Sequence, residues 1–207
     1  GPTVPDVFGA DSPKGNYADM TTRGYEISLE WHDRLDLAGK PFNYSIKATL
    51  ADYYSVIDKF NNANYTLSTN ANQSLAGNYY EGMRIGELWG FVSNGLWQDQ
   101  ASIDAAEAGA IAAGQKYYNP LMQTSKTYKL YPGDVKFEDL NGNGYIDRGQ
   151  NTVDDPGDRK IIGNEEPRYI YSFTLSGDWN TIWLNAFFQG VGKQDWYPSN
   201  EASVFWG

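Results

Sequence analysis

The residues of this chain best suited to chemistry are the oxygens of one acidic loop, Asp139-Leu-Asn-Gly-Asn-Gly-Tyr-Ile-Asp147. Asp139, Asn141 and Asn143 offer side-chain oxygens at positions 1, 3 and 5 of a calcium-type loop. Gly144 stands at position 6, where such a loop turns sharply. Tyr145 at position 7 offers its backbone carbonyl, and Asp147 occupies position 9. Ile146 between them is placed to anchor the loop in a core. Position 12 calls for a bidentate acid, but Gln150 stands there. Asp154, Asp155 and Asp158 lie just downstream, and any of them serves if the chain loops out.

Residues 134–158 carry seven acids against two bases, Lys136 and Arg148. Crowded carboxylates repel one another unless a cation neutralises them or water solvates them. The spacing therefore predicts a structural Ca2+ site of modest affinity, because Asn replaces Asp at positions 3 and 5. The competing reading is a Gly/Asn-rich turn whose side chains cap their own backbone.

Other chemistry is poorly supplied. The chain has no Cys and a single His, His32, so a thiolate site, a Cys nucleophile or a multi-His zinc site is not expected within it. His32 reads as a solvated residue at a strand end. The acids form no pair with a glycosidase signature, and no enzyme is expected. A net charge of −10 argues against nucleic acid as a partner. No run of about 18 apolar residues exists, so no transmembrane helix is expected. Barrel strands are still open, since they cross a membrane with about 10 alternating residues.

The elements that must position the loop show such alternation. Tyr25, Ile27, Leu29 and Trp31 alternate with Glu26, Ser28, Glu30 and His32. A polar stretch, Asp33 to Pro41, reads as the turn. Phe42, Tyr44, Ile46, Ala48 and Leu50 then alternate with Asn43, Ser45, Lys47 and Thr49. A second hairpin reads from Tyr169 to Gln189, with its turn at Gly177-Asp178-Trp179-Asn180. Trp183 and Phe187 interrupt its polar face. Between the hairpins, residues 61–78 read as exposed loop, 79–97 as one or two short strands, 101–113 as a helix, and 115–165 as loop again. Short turns at one end and a long insertion at the other suit a barrel wall better than a sandwich.

Several motifs, taken in order, resemble the C-terminal part of SusC/RagA-family outer-membrane proteins. They are Gly24-Tyr-Glu-Ile-Ser-Leu29 with the polar run from Asn16 before it, Pro132 to Asp147, Asp158-Arg-Lys-Ile-Ile-Gly-Asn164 and Phe187-Phe-Gln-Gly-Val-Gly192. The resemblance covers nearly the whole chain, most weakly at 55–78 and 101–130. It implies a TonB-dependent importer of glycans or other oligomeric nutrients. It also implies that Asp158, displaced by an eight-residue insertion, takes the position-12 role. The partners it implies are a SusD-like surface lipoprotein, TonB reached through an N-terminal part outside these residues, a plug domain, the remaining barrel strands and the lipid bilayer.

The expected fold is therefore mainly β: an antiparallel transmembrane β-barrel segment with a long extracellular insertion holding one short helix. Residues 1–53 would form the first hairpin, 54–165 the insertion with its helix (101–113) and Ca2+ loop (139–158), and 166–207 the second hairpin and the start of the next loop. The expected location is the cell outer membrane, with 54–165 outside the cell. The chain, beginning Gly-Pro-Thr and ending Phe-Trp-Gly, reads as a piece of a longer protein. Its lipid face would carry Tyr25, Ile27, Leu29, Phe42, Tyr44, Ile46, Tyr171, Phe173 and Leu184. Its lumen face would carry Glu26, Glu30, Asn43, Lys47, Ser172 and Thr174. The alternative is a secreted or surface calcium-stabilised β-domain with Trp89, Trp97, Tyr117, Tyr118 and Tyr128 as candidates for stacking glycans, against the favoured reading that these rings pack the insertion against the barrel rim.

Overall fold

A computed structural model of the protein describes residues 18–62, 64–67, 79–116, 118–119 and 129–197. Tyr117, Tyr128, the start of the first motif at Asn16 and most of the 61–78 loop lie outside the described residues. In chain order the elements are β1 (Asp19–Leu37), β2 (Lys40–Lys59), β3 (Glu87–Phe91), β4 (Ser93–Leu96), α1 (Gln100–Ala112), β5 (Val135–Phe137), β6 (Arg159–Asn164), β7 (Arg168–Trp179) and β8 (Ile182–Lys193). The protein is mainly β, every strand pair is antiparallel, and no closed barrel forms among the described residues.

The period-2 segments become one sheet, ordered β1-β2-β7-β8. Its register brings the alternating residues of all four strands into common rows. Ile27, Leu50, Tyr171 and Gly190 form one row; Leu29, Ala48, Phe173 and Phe188 the next; Trp31, Ile46, Leu175 and Ala186 the third. The rows between them are polar on β1, β2 and β7: Ser28, Thr49, Ser172 and Gln189, then Glu30, Lys47, Thr174 and Phe187. Side chains alternate across a sheet, so these rows stand on opposite faces. Thr49 and Ser172 join their hydroxyls across the polar face at 2.6 Å. Trp183 and Phe187 also stand on that face and remain exposed.

The sheet corrects the sequence reading at its turns. Asp33 to Leu37 is strand rather than turn, and the chain reverses over Ala38-Gly39, both with positive φ (50° and 74°). Two such residues give the turn whose twist matches paired strands. In the second hairpin the strand runs through Gly177, Asp178 and Trp179 and reverses at Asn180-Thr181, with Asn180 at φ 60°. Gly177 stays in the strand because the Phe42 ring crosses it: a Cβ there would come 3.1 Å from Phe42 Cε2. β2 runs on to Lys59, beyond the expected hairpin end at residue 53. His32 is mid-strand and exposed, 3.7 Å from Glu30.

β7 accompanies β2 only from Phe42 to Ala51. At that fork Arg168 binds the Asp52 carboxylate with two guanidinium nitrogens, and Asp52 is buried. Above the fork, residues of the insertion take over the edge of β2. Ile57 N donates to Met83 O (2.9 Å), Gly82 N to Ile57 O (2.8 Å) and Ile85 N to Ser55 O (2.9 Å). This clamps the insertion to the top of the sheet through backbone bonds.

The insertion has two small cores. Ile57, Leu67, Tyr80 and Met83 form one against β2; Trp97, Ile103, Ala110, Tyr118, Leu130 and Ile146 form the other around α1. Helix α1 follows the Ala-rich segment. Its N-cap Asp99 accepts a bond from Ser102 N at 2.7 Å, and it ends before Gly114 at φ 84°. Two strands were missed within 115–165, β5 and β6, which pair with β4 and β3.

Candidate functional site

Asp139 lies just beyond β5, and its carboxylate organises the next turn. Oδ1 accepts from Gly142 N (2.7 Å) and Asn143 N (3.2 Å), and Oδ2 accepts from Gly144 N (2.8 Å). Asn141 Oδ1 accepts from Asn143 N at 3.0 Å, and Asn143 Oδ1 from Tyr145 N at 3.1 Å. Gly144 sits at φ 90°, a conformation that a residue with a Cβ avoids. The side chains at positions 1, 3 and 5 thus wrap the chain around one centre.

Ile146 is fully buried, and its N–H donates to Tyr118 O at 2.8 Å. The loop is therefore fixed to the α1 core by one side chain and one backbone bond. Tyr145 packs on the edge of the same core. Asp147 receives Asn143 Nδ2 and Gly149 N on its two carboxylate oxygens.

Asp158 lies against the loop. It is fully buried. Its Oδ1 accepts from Leu140 N (2.8 Å) and Asn141 N (3.4 Å), and its Oδ2 from Asp147 N (2.7 Å). Asp158 N donates in turn to Asp147 O at 3.1 Å. Gly157 permits the close pass: a Cβ there would collide with Asp147 Oδ1. The other downstream acids play different parts. Asp155 receives Gln150 N at 3.1 Å and closes the inserted turn, and Asp154 is exposed.

Electrostatically the loop is acidic. Burial pushes the Asp158 carboxyl above the usual carboxylate range; its three backbone donors oppose the shift and the Asp147 charge adds to it. Burial likewise raises the Tyr118 hydroxyl, and the Asp139 and Asp158 charges push the same way. The bonds that hold the three carboxylates all come from neutral N–H groups. Among the described residues no three His, Cys, Asp or Glu side chains cluster closely enough to hold a metal by themselves. A cation here would also draw on the Asn141, Asn143 and Tyr145 oxygens. That all-oxygen donor set fits a hard ion such as Ca2+.

Of the rings weighed as glycan-stacking candidates against a packing role, the three described ones pack. Trp97 and Tyr118 are buried and meet edge to face at 5.5 Å, and Trp89 packs against the β2-side core. A third buried acid, after Asp52 and Asp158, stands in no motif of the sequence. Glu87 accepts from the Tyr80 hydroxyl (2.5 Å) and Arg84 N (2.9 Å), and burial raises its carboxyl. A lone acid directly before the apolar run Leu88-Trp-Gly-Phe91 was the available signal. Compared with known proteins, the chain matches no protein-family model and no curated protein at a significant level.

Proposed function

We propose that this chain is part of the wall and outer loop of a TonB-dependent outer-membrane importer of glycans or other oligomeric nutrients, of the SusC/RagA kind it resembles. The observation that carries the membrane reading is the shared apolar face. Leu29 (67 % exposed), Leu184 (65 %), Trp31 (61 %) and Phe188 (56 %) belong to one four-stranded surface that none of the described residues covers. In water such a surface is an aggregation hazard; against lipid it is the requirement. From Phe42 to Asp52 the strand rises about 33 Å. At a tilt of about 40° that is about 25 Å along the membrane normal, the height of a barrel's apolar band. Aromatic rings mark both ends: Phe42 and Trp179 below, Tyr25 and Tyr171 above.

The outer strands β1 and β8 each have one partner among the described residues, which suits a sheet continued by further strands of the barrel. A plug domain, TonB and a SusD-like lipoprotein would be its further partners. Transport would be driven through TonB, and no bond-making by this segment is needed. The test is reconstitution: the full-length protein bearing this chain should require detergent or bilayer to stay monomeric. Monodisperse behaviour in plain buffer would contradict the wall reading.

Within the extracellular insertion, Asp139, Asn141, Asn143, Tyr145, Asp147 and Asp158 would hold a Ca2+ ion. The ion would neutralise crowded carboxylates and so staple the loop. After chelation, calcium titration should release heat and raise the melting temperature, and Asp139→Ala should abolish both. A heat-silent wild type would reduce the loop to a self-capped turn.

A further inference from the structure

Just above the apolar band, the same outward face changes chemistry. One row above Tyr25 and Asp52, Arg23 pairs with Tyr54 across β1 and β2. The insertion segment bridged to Val56 lays the Arg84 guanidinium 4.7 Å over the Tyr54 ring. In the next row Thr21 faces Val56 and donates to Asp58 Oδ2 at 2.5 Å. Thr21, Arg23, Tyr54, Val56 and Asp58 enclose a pocket of 220 Å³.

Two observations make this pocket electrostatically unfinished. Arg23 is exposed and enters no ion pair among the described residues. Arg84 Nη2 is buried and makes no hydrogen bond among the described residues, and the guanidinium lies over the ring face. A desolvated guanidinium short of acceptors is stabilised by negative charge brought near it. Arg168, one row lower, is by contrast matched by Asp52. Arg23 in the pocket and Arg84 over its Tyr54 wall set two guanidinium groups against the one lining carboxylate, Asp58, on a chain of net charge −10. The height fits a lipid headgroup. One row is about 6.6 Å along a strand and about 5 Å along the normal. The headgroup layer is about 5–7 Å deep on each side of the hydrocarbon.

We propose that Arg23 and Tyr54, with Arg84 behind the ring, form a site for the phosphate of a membrane-lipid headgroup whose acyl chains lie along the apolar rows below. This rests on the wall reading above. Arg23 supplies the fork of N–H donors that matches phosphate oxygens. Asp58 on the pocket wall disfavours a second negative charge, so a singly charged phosphodiester suits the site better than free phosphate does.

The test uses the full-length protein bearing this chain, purified in non-ionic detergent. Mixed micelles would contain phosphatidylglycerol or a glucosyl diacylglycerol, with or without inorganic phosphate, and native mass spectrometry would count retained lipid. The expected result is preferential retention of phosphatidylglycerol, lowered about five-fold by Arg23→Gln and not displaced by equimolar phosphate. Arg23 is exposed, so this variant should fold. Equal retention of both lipids, or no effect of R23Q, overturns the site. Phosphate competition that depends on Arg23 also overturns it, in favour of a free-anion site. A protein that inserts normally yet shows no phosphate preference loses this inference alone. One that stays monomeric without detergent loses the wall reading with it.

Discussion

Replacing Leu29 with lysine should weaken folding of the full-length protein into a bilayer by about 2–4 kcal/mol, the cost of a lysine at the middle of a barrel's lipid face. Leu29 stands in the central row of the apolar face, beside Ala48 and in line with Phe173 and Phe188. The neighbouring change Ser28→Lys puts the same charge one residue away on the other face, beside Thr49 and Ser172. There water or polar side chains meet it, and the effect should stay within about 0.5 kcal/mol. Urea titrations of folding into liposomes measure both. The contrast between adjacent residues carries the information, because a sheet packed against other protein would penalise Leu29→Lys without needing lipid. Equal penalties at 28 and 29 would contradict the two-faced wall.

Asp158→Ala should cost about 3–5 kcal/mol of the insertion's stability, with or without calcium. The side chain is fully buried and holds the N–H groups of Leu140, Asn141 and Asp147. Removing it orphans three donors, each worth about 1–3 kcal/mol when left unmet, partly recovered if water enters. Asp158→Asn keeps one acceptor and should cost roughly half as much. Asp154→Ala, at an exposed acid of the same segment, should stay within about 0.5 kcal/mol. Thermal melting gives the size of the effect. Hydrogen exchange at the amides of residues 140, 141 and 147 gives its location. A small, uniform effect across the three variants would remove Asp158 from its central place in the loop.

The two hairpins were legible because period-2 alternation survives without knowledge of partners: Tyr25 to Trp31 and Phe42 to Leu50 announce both strand and face. Their ends were less legible. Gly177 reads as a turn residue in sequence, yet the Phe42 ring takes the space over it and keeps it in the strand. β5 and β6 escaped because short strands owe their form to distant partners, Ser93–Leu96 and Glu87–Phe91. The acidic loop was readable position by position, since each of its oxygens serves a neighbour within five residues. The place of Asp158 depended on a contact across the inserted turn, which the spacing alone left open among Asp154, Asp155 and Asp158. Aromatic residues were the least legible. Trp97 and Tyr118 have the composition of a stacking platform, but their burial is a tertiary fact that no local pattern reveals.

The most direct test of the central claim is a scan of β2 by spin labelling in a background freed of any native cysteine. Single cysteines at positions 45 to 50 of β2, each carrying a spin label in the reconstituted full-length protein, report collisions with oxygen from lipid and with a nickel complex from water. The account predicts strict alternation: Ile46, Ala48 and Leu50 positions favour oxygen, and Ser45, Lys47 and Thr49 positions favour nickel wherever the lumen is wet. Equal nickel access on both faces, or protection of the 46, 48 and 50 positions from both reagents, would contradict a wall that separates lipid from water.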